Sequence, residues 1–283
     1  MRIGLYGINV GPCADPETAS AVACAAEDAG FDSVWTAEHV VLPDPQVPPS
    51  PVGPRERLLD PLVALAFLAA RTQRLRLATG IVILPQRNPL VLAKALASVD
   101  VLSGGRLVFG AAAGYLEPEF RALGAPFEER GARTDEYLDA IVALWTQGRP
   151  AFAGETVSFS GIDAHPRPVQ KPHPPIVIGG HTPPAFRRAV ARGNGWYGFL
   201  HDLASTRRCL AGIAAAQDRV ERPAQLGELE VTVTPPPGLD ADGAARYRDL
   251  GVHRLVLLPT ERSPDGLRRF VEESAGGLVR ALA

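Results

Sequence analysis

Apolar and polar positions along this chain switch repeatedly between two periods. Short β-branched and apolar runs alternate with longer stretches whose apolar positions recur every three to four residues. The first short run is 3–8. Asp15-Pro16-Glu17 then reads as N-cap, proline at the first helical position and first-turn acid, with Gly30 as the stop. Residues 31–36 predict a second strand, and Asp60-Pro61 opens a helix reaching about Arg71. A third strand spans 75–84, and Asn88-Pro89 caps a helix that Ser103-Gly104-Gly105 ends. A fourth strand at 106–111 precedes a short helix near 118–122 and a long one over 128–147. Later strands are predicted at 175–178, 196–200, 229–234 and 252–258, followed by helices at 183–192, 203–220, 240–250 and 264–282.

Eight β-then-α units in one chain of this length predict a single α/β domain over 1–283, a (β/α)8 TIM barrel. Two segments break the rhythm. Residues 38–59 carry prolines at 43, 45, 48, 49, 51 and 54 and must run extended. Residues 148–174, rich in Gly and Pro, read as an insertion before the fifth strand, with a hairpin around 152–159. An open doubly wound sheet is the competing architecture, but its GxGxxG fingerprint is missing. Gly4 and Gly7 form only GxxG, and Gly110 and Gly114 only GxxxG.

Composition narrows the partners. With 283 residues, 46% of them hydrophobic, the chain can bury a large core. Its net charge of −2 provides no basic field for nucleic acid, and its arginines cluster only in pairs. Cys13, Cys24 and Cys209 are odd in number and scattered, as expected of buried thiols in a reducing compartment. Residues ahead of the first strand show no charged n-region, apolar h-region and cleavage site, so no signal peptide is expected. The longest apolar run, 61–70, is about half of what a bilayer span needs. A cytoplasmic protein without membrane contact is the expectation.

In such a barrel the chemistry sits where strands end. The strand-end candidates are Asn9, Glu38-His39, Thr79-Gly80-Ile81, 110–115, 179–182 and 196–201. The six histidines form no HxH or HExxH pattern, so no metal is expected. No GxSxG elbow is present, and the only lysines, Lys94 and Lys171, fall away from strand ends. A barrel without its own reactive groups borrows those of a cofactor. Ile178-Gly179-Gly180-His181-Thr182 runs from an apolar strand through glycines to a helix N-terminus. That is either a phosphate grip or a plain turn capped by Thr182. Gly80 inside a β-branched strand marks a bulge against a flat ring or tight barrel packing. Ala112 and Gly114 leave room at the fourth strand's end. His39 is the best titratable candidate, able to donate to a cofactor or move a proton.

Five ordered blocks then resemble a known family: FDSVWTAEH at 31–39, ATGIVILPQRNPLVLAK at 78–94, SGGRLVFGAAAGYLEPEF at 103–120, FEERGARTDEYLDAIVALW at 127–145 and PVQKPHPPIVIGG at 168–180. They resemble the luciferase-like monooxygenase superfamily, in its branch of oxidoreductases dependent on the deazaflavin coenzyme F420. The resemblance implies a (β/α)8 barrel with a flavin or deazaflavin at the strand ends and a non-proline cis peptide that maps to Gly80–Ile81. It places His39 near the redox centre and the phosphate near Gly179 and Gly180, and it suggests a homodimer. The cofactor-contacting set it implies is Glu38, His39, Thr79, Gly80, Ile81, Ala112, Gly114, Ile178, Gly179, Gly180, His181 and Thr182. His39 is the catalytic candidate, and Asn9, Tyr115 and Trp196 are substrate-side candidates. The chain departs from a sugar-phosphate-oxidising relative at Tyr115, where that relative has a carboxylate. The resulting expectation is F420-dependent hydride transfer to or from a small organic substrate. The alternatives are an FMN-dependent monooxygenase using reduced flavin and O2, and a non-catalytic flavin- or deazaflavin-binding protein.

Overall fold

The computed structural model describes residues 1–280. Its strands are β1 (Arg2–Tyr6), β2 (Ser33–Thr36), β3 (Arg76–Thr79), β4 (Val82–Ile83), β5 (Leu107–Ala112), β6 (Phe152–Ala153), β7 (Ser158–Phe159), β8 (Ile176–Gly179), β9 (Gly195–Phe199), β10 (Glu230–Thr234) and β11 (Arg254–Leu257). The helices are α1 (Pro16–Asp28), α2 (Pro61–Ala69), α3 (Pro89–Leu102), α4 (Glu117–Ala122), α5 (Arg130–Thr146), α6 (Pro183–Arg192), α7 (Leu203–Gln217), α8 (Ala241–Asp249) and α9 (Pro264–Ser274). β1 pairs in parallel with β2 and β11, and pairing continues around the sheet until β3 meets β5. The result is a closed eight-stranded parallel barrel with helices between its strands. β3 and β4 are two pieces of one barrel position. β6 and β7 form a separate antiparallel hairpin between α5 and β8.

Local chemistry explains most helix starts. Asp15, Asp60 and Asn88 each accept N–H bonds from the following turn, and each is followed by a proline at the first helical position. Asp202, Asp240 and Ser263 cap α7, α8 and α9 in the same way. Two sequence expectations need correction. β1 ends at Tyr6 rather than at residue 8. The last helix is α over Pro264–Ser274, turns π over Ala275–Val279 and is α again at Arg280, the π turn containing the poor helix formers Gly276 and Gly277. Its expected end at 282 lies outside the described residues.

The core has two layers. Between barrel and helices lie the outward residues of each strand, such as Leu77, Phe109, Ile178 and Trp196. Inside the barrel, Trp35, Ala78, Val108, Val177, Tyr197 and Val256 pack together against Tyr6 and Ile81. Neighbouring residues on a strand thus face opposite layers, as strand pleating demands. At the N-terminal mouth Arg254 is buried against Asp32 and Glu230, which closes that end with charge pairs. The C-terminal mouth is left for the site.

Candidate active site

The floor of that mouth is built by an extra residue. Ala78 pairs with Val108 and Val82 with Ala111, so four steps on one strand oppose three on the other. This is a β-bulge centred on Gly80 and Ile81. The Gly80–Ile81 peptide is cis, as the resemblance implies. A Cβ on Gly80 would stand 2.9 Å from the Thr36 carbonyl, so only glycine lets the bulge lie against β2. Gly179, on the inner face of β8, approaches Ile81 and Ala112. A Cβ there would meet Ile81 Cγ2 at 3.3 Å and Ala112 Cβ at 3.5 Å. Ile81, Ala112 and Gly179 therefore share one apolar surface.

Glu38 supports the bulge from behind. Its buried carboxylate accepts the Ile83 N–H and a two-pronged bond from Arg87, with Arg87 Nε at 2.9 Å. Arg87 also holds Asp60, the cap of α2, at 2.7 Å. Burial pushes the Glu38 carboxyl above its ordinary pKa, and Arg87 and the Ile83 N–H oppose that rise. His39 points the other way. Its Nδ1 lies 3.0 Å from Glu119 Oε2, and its Nε2 lies 3.4 Å from the Tyr115 hydroxyl.

Several candidates sit elsewhere than sequence reasoning placed them. Asn9 is fully buried and spent on backbone. It donates to the carbonyls of Ala37 at 2.9 Å and Leu59 at 2.7 Å, and accepts from the Ala37 N–H at 2.8 Å. It ties two loops together and offers nothing to a substrate. The Thr79 hydroxyl is likewise consumed by the Gly110 N–H and carbonyl. Ile178 and Trp196 face the helix layer. The Trp196 indole is 0% exposed, packs edge-on to Phe186 and donates to the Gly180 carbonyl at 2.7 Å. It is a core residue, not a substrate wall. Gly114 has φ +80°, and a side chain there would strike Ile83 and Phe120, so it shapes a turn rather than leaving open space.

The α6 end differs from expectation in its donors. Gly179 belongs to β8, paired with Tyr197, and not to the helix terminus. Pro183 and Pro184 fill the first two helical positions and have no N–H to offer. Thr182 occupies the N-cap without its side chain capping the helix. Gly180 (φ +119°), His181 and Thr182 are exposed there. The His181 ring lies 5.8 Å from that of His201.

The luciferase-like monooxygenase family model matches residues 6–274. The chain belongs to that family. Among relatives of this luciferase-like chain, an uncharacterized protein of Mycobacterium tuberculosis is 34% identical over 273 residues, covering 93% of this chain and 94% of its own. An FMNH2-dependent dimethylsulfone monooxygenase of Pseudomonas putida is 36% identical over 138 residues, covering 48% of this chain and 37% of its own. The solved structure of an F420-dependent secondary alcohol dehydrogenase in complex with an F420-acetone adduct superposes with a TM-score of 0.81 at 15% identity. The match covers 100% of this chain and 99% of that one.

The floor of this luciferase-like barrel fits a flat ring. Its surface is apolar, small residues keep it level, and Cβ atoms at Gly80 or Gly179 would intrude on it or on the strand behind it. Sequence reasoning missed Glu119 and Arg87, the partners of His39 and Glu38. It also missed Tyr6 and Phe199, whose rings meet 4.8 Å apart on the inner side of the mouth. Phe199 falls inside the strand-end stretch 196–201, but no polar alternation in this doubly buried strand marked it as the inward residue. No local signal marks Glu119, which lies 80 residues from His39. Among the described residues, no helix is long and apolar enough to cross a membrane.

Proposed function

We propose that the protein is an F420-dependent oxidoreductase that transfers a hydride between the deazaflavin and a small organic substrate. The observation that carries this reading is the apolar floor of Ile81, Ala112 and Gly179 at the same strand-end mouth as the Glu119–His39–Tyr115 cluster, whose residues follow β2 and β5. Hydride exchange at a ring carbon calls for a flat backing, exclusion of water and one proton-exchanging neighbour. Bound deazaflavin supplies the two-electron chemistry that no side chain here offers. Ile81, Ala112 and Gly179 back the ring, with Gly80 setting the bulge. Gly180, His181 and Thr182 receive the phosphate, and the His39–Tyr115 side exchanges the proton. Tyr6 and Phe199 face the substrate. In this reading residues 1–283 act as one cytoplasmic barrel unit, with 148–174 as an insertion, and a homodimer is the assembly. The full-length likeness to an F420-dependent alcohol dehydrogenase is a likeness of fold, and this reading takes the cofactor of that neighbour.

A second reading, a monooxygenase using reduced FMN and O2, is favoured by the 36% identity to the FMNH2-dependent relative. Titrating the purified protein with F420 and with FMN, followed by cofactor absorbance, separates the two. Saturable perturbation of F420 alone supports the first reading, and of FMN alone the second.

A further inference from the structure

The His39 ring has little access to open space. Its side chain is 7% exposed, closed in by Glu119 on one edge and Tyr115 on the other. The Glu119 side chain is completely buried. Its Oε1 accepts the Val40 N–H at 2.6 Å and the Val41 N–H at 3.4 Å, while Oε2 faces His39 Nδ1. Burial alone would raise this carboxyl's pKa, but hydrogen bonding from His39, Gln86 and the Val40 N–H holds it below its ordinary value. An ionised oxygen can only accept, so Nδ1 carries a hydrogen, and whenever the imidazole is neutral its bare nitrogen is Nε2. Nε2 is left with a lone pair, and the Tyr115 hydroxyl faces it at 3.4 Å. Tyr115 itself is 49% exposed.

We infer that Tyr115, His39 and Glu119 form a proton relay in which the Tyr115 hydroxyl, rather than the imidazole, exchanges the proton with substrate. In this relay Glu119 is a positioning residue that selects Nε2 as the receiving nitrogen. The inference rests on the oxidoreductase reading above. It implies a substrate that bears a hydroxyl or carbonyl at the reacting carbon. In oxidation, the substrate hydroxyl proton passes to Tyr115 Oη while the phenolic proton passes to His39 Nε2. The imidazolium then lies against the Glu119 carboxylate. In reduction, Nε2 returns its proton to Oη while the phenol protonates the carbonyl oxygen. The net change on the protein is one proton, and the hydride pair is carried by none of the three residues. Tyr115 stays neutral throughout, in keeping with burial and the Glu119 charge, which hold its pKa above the ordinary value.

The ring 15N shifts of His39 in cofactor-free protein test the arrangement. Wild type is expected to show the Nδ1–H tautomer. In Glu119→Gln, an amide oxygen kept on the Val40 N–H turns the NH2 group toward Nδ1, so the hydrogen should move to Nε2. An Nε2–H tautomer in wild type, or an unchanged tautomer in the variant, overturns the relay. Tyr115→Phe should keep the wild-type tautomer yet lower turnover at saturating cofactor roughly tenfold or more. The double variant should lose little beyond the worse single one, because members of one relay are not additive. Undiminished turnover in Tyr115→Phe overturns the relay. Failure to bind either cofactor would defeat the oxidoreductase reading instead, and the tautomer would still decide the arrangement.

Discussion

The Thr79 hydroxyl both donates to the Gly110 carbonyl and accepts from the Gly110 N–H, at 2.8 Å each. It stands in for ladder bonds at the place where the extra residue of the bulge breaks the pairing of β3 with β5. Thr79→Val keeps the shape but leaves two buried backbone groups unpaired. Stability should fall by about 1–3 kcal/mol. Urea unfolding measures it, and cofactor affinity should change far less than if Thr79 were a direct ligand.

Arg87→Met removes the partner of the buried Glu38 carboxylate. An uncompensated buried charge costs about 3–5 kcal/mol at neutral pH. The pH dependence has a definite sign. Glu38 already titrates above its unfolded value, and losing Arg87 raises it further. Between the unfolded and folded pKa values the native state binds more protons, so stability falls as pH rises through that window. The deficit of the variant relative to wild type should therefore shrink on acidification toward the ordinary carboxylate range. A deficit independent of pH would mean that Glu38 is not the group left uncompensated.

Asn9→Ala should act on folding rather than on substrate. It strands the Ala37 N–H and the carbonyls of Ala37 and Leu59. A loss of about 1–3 kcal/mol in a denaturant melt is expected, with KM nearly unchanged at temperatures where the fold persists. A large KM change in a protein of wild-type stability would restore Asn9 to the substrate side.

What the sequence made legible was local. Asp15-Pro16, Asp60-Pro61 and Asn88-Pro89 mark helix starts through side chains only two or three residues from their targets. Gly80 could be read because glycine is costly inside a strand. The facing of Ile178 and Trp196 could not. Strands of this barrel are buried on both sides, so Ile176-Val-Ile and Trp196-Tyr197 carry no polar alternation to tell inside from outside. Glu119 was hidden for another reason. It meets His39 only because α4, after β5, folds back over the loop that follows β2. The prolines at 183 and 184 were in plain view. Their missing N–H groups, legible from sequence alone, trim the anion cradle that the glycines suggest.

Gly180→Val tests the phosphate end. The φ of +119° excludes a branched residue, and a Cβ there stands 3.0 Å from Ala185. Affinity for the intact cofactor should drop about tenfold, or about 1.4 kcal/mol, while affinity for its dephosphorylated form should hold. Equal weakening of both forms would put the phosphate elsewhere.

Cofactor identity is tested most directly by equilibrium titration of the purified chain with F420, with FMN in parallel, read by absorbance and by quenching of cofactor fluorescence. Saturable, stoichiometric binding of F420 is expected. It should be weakened when Gly179 is changed to Val, which fills the surface shared with Ile81 and Ala112. No saturable response to F420, or F420 binding that Gly179→Val leaves untouched, would contradict a deazaflavin seated on that floor.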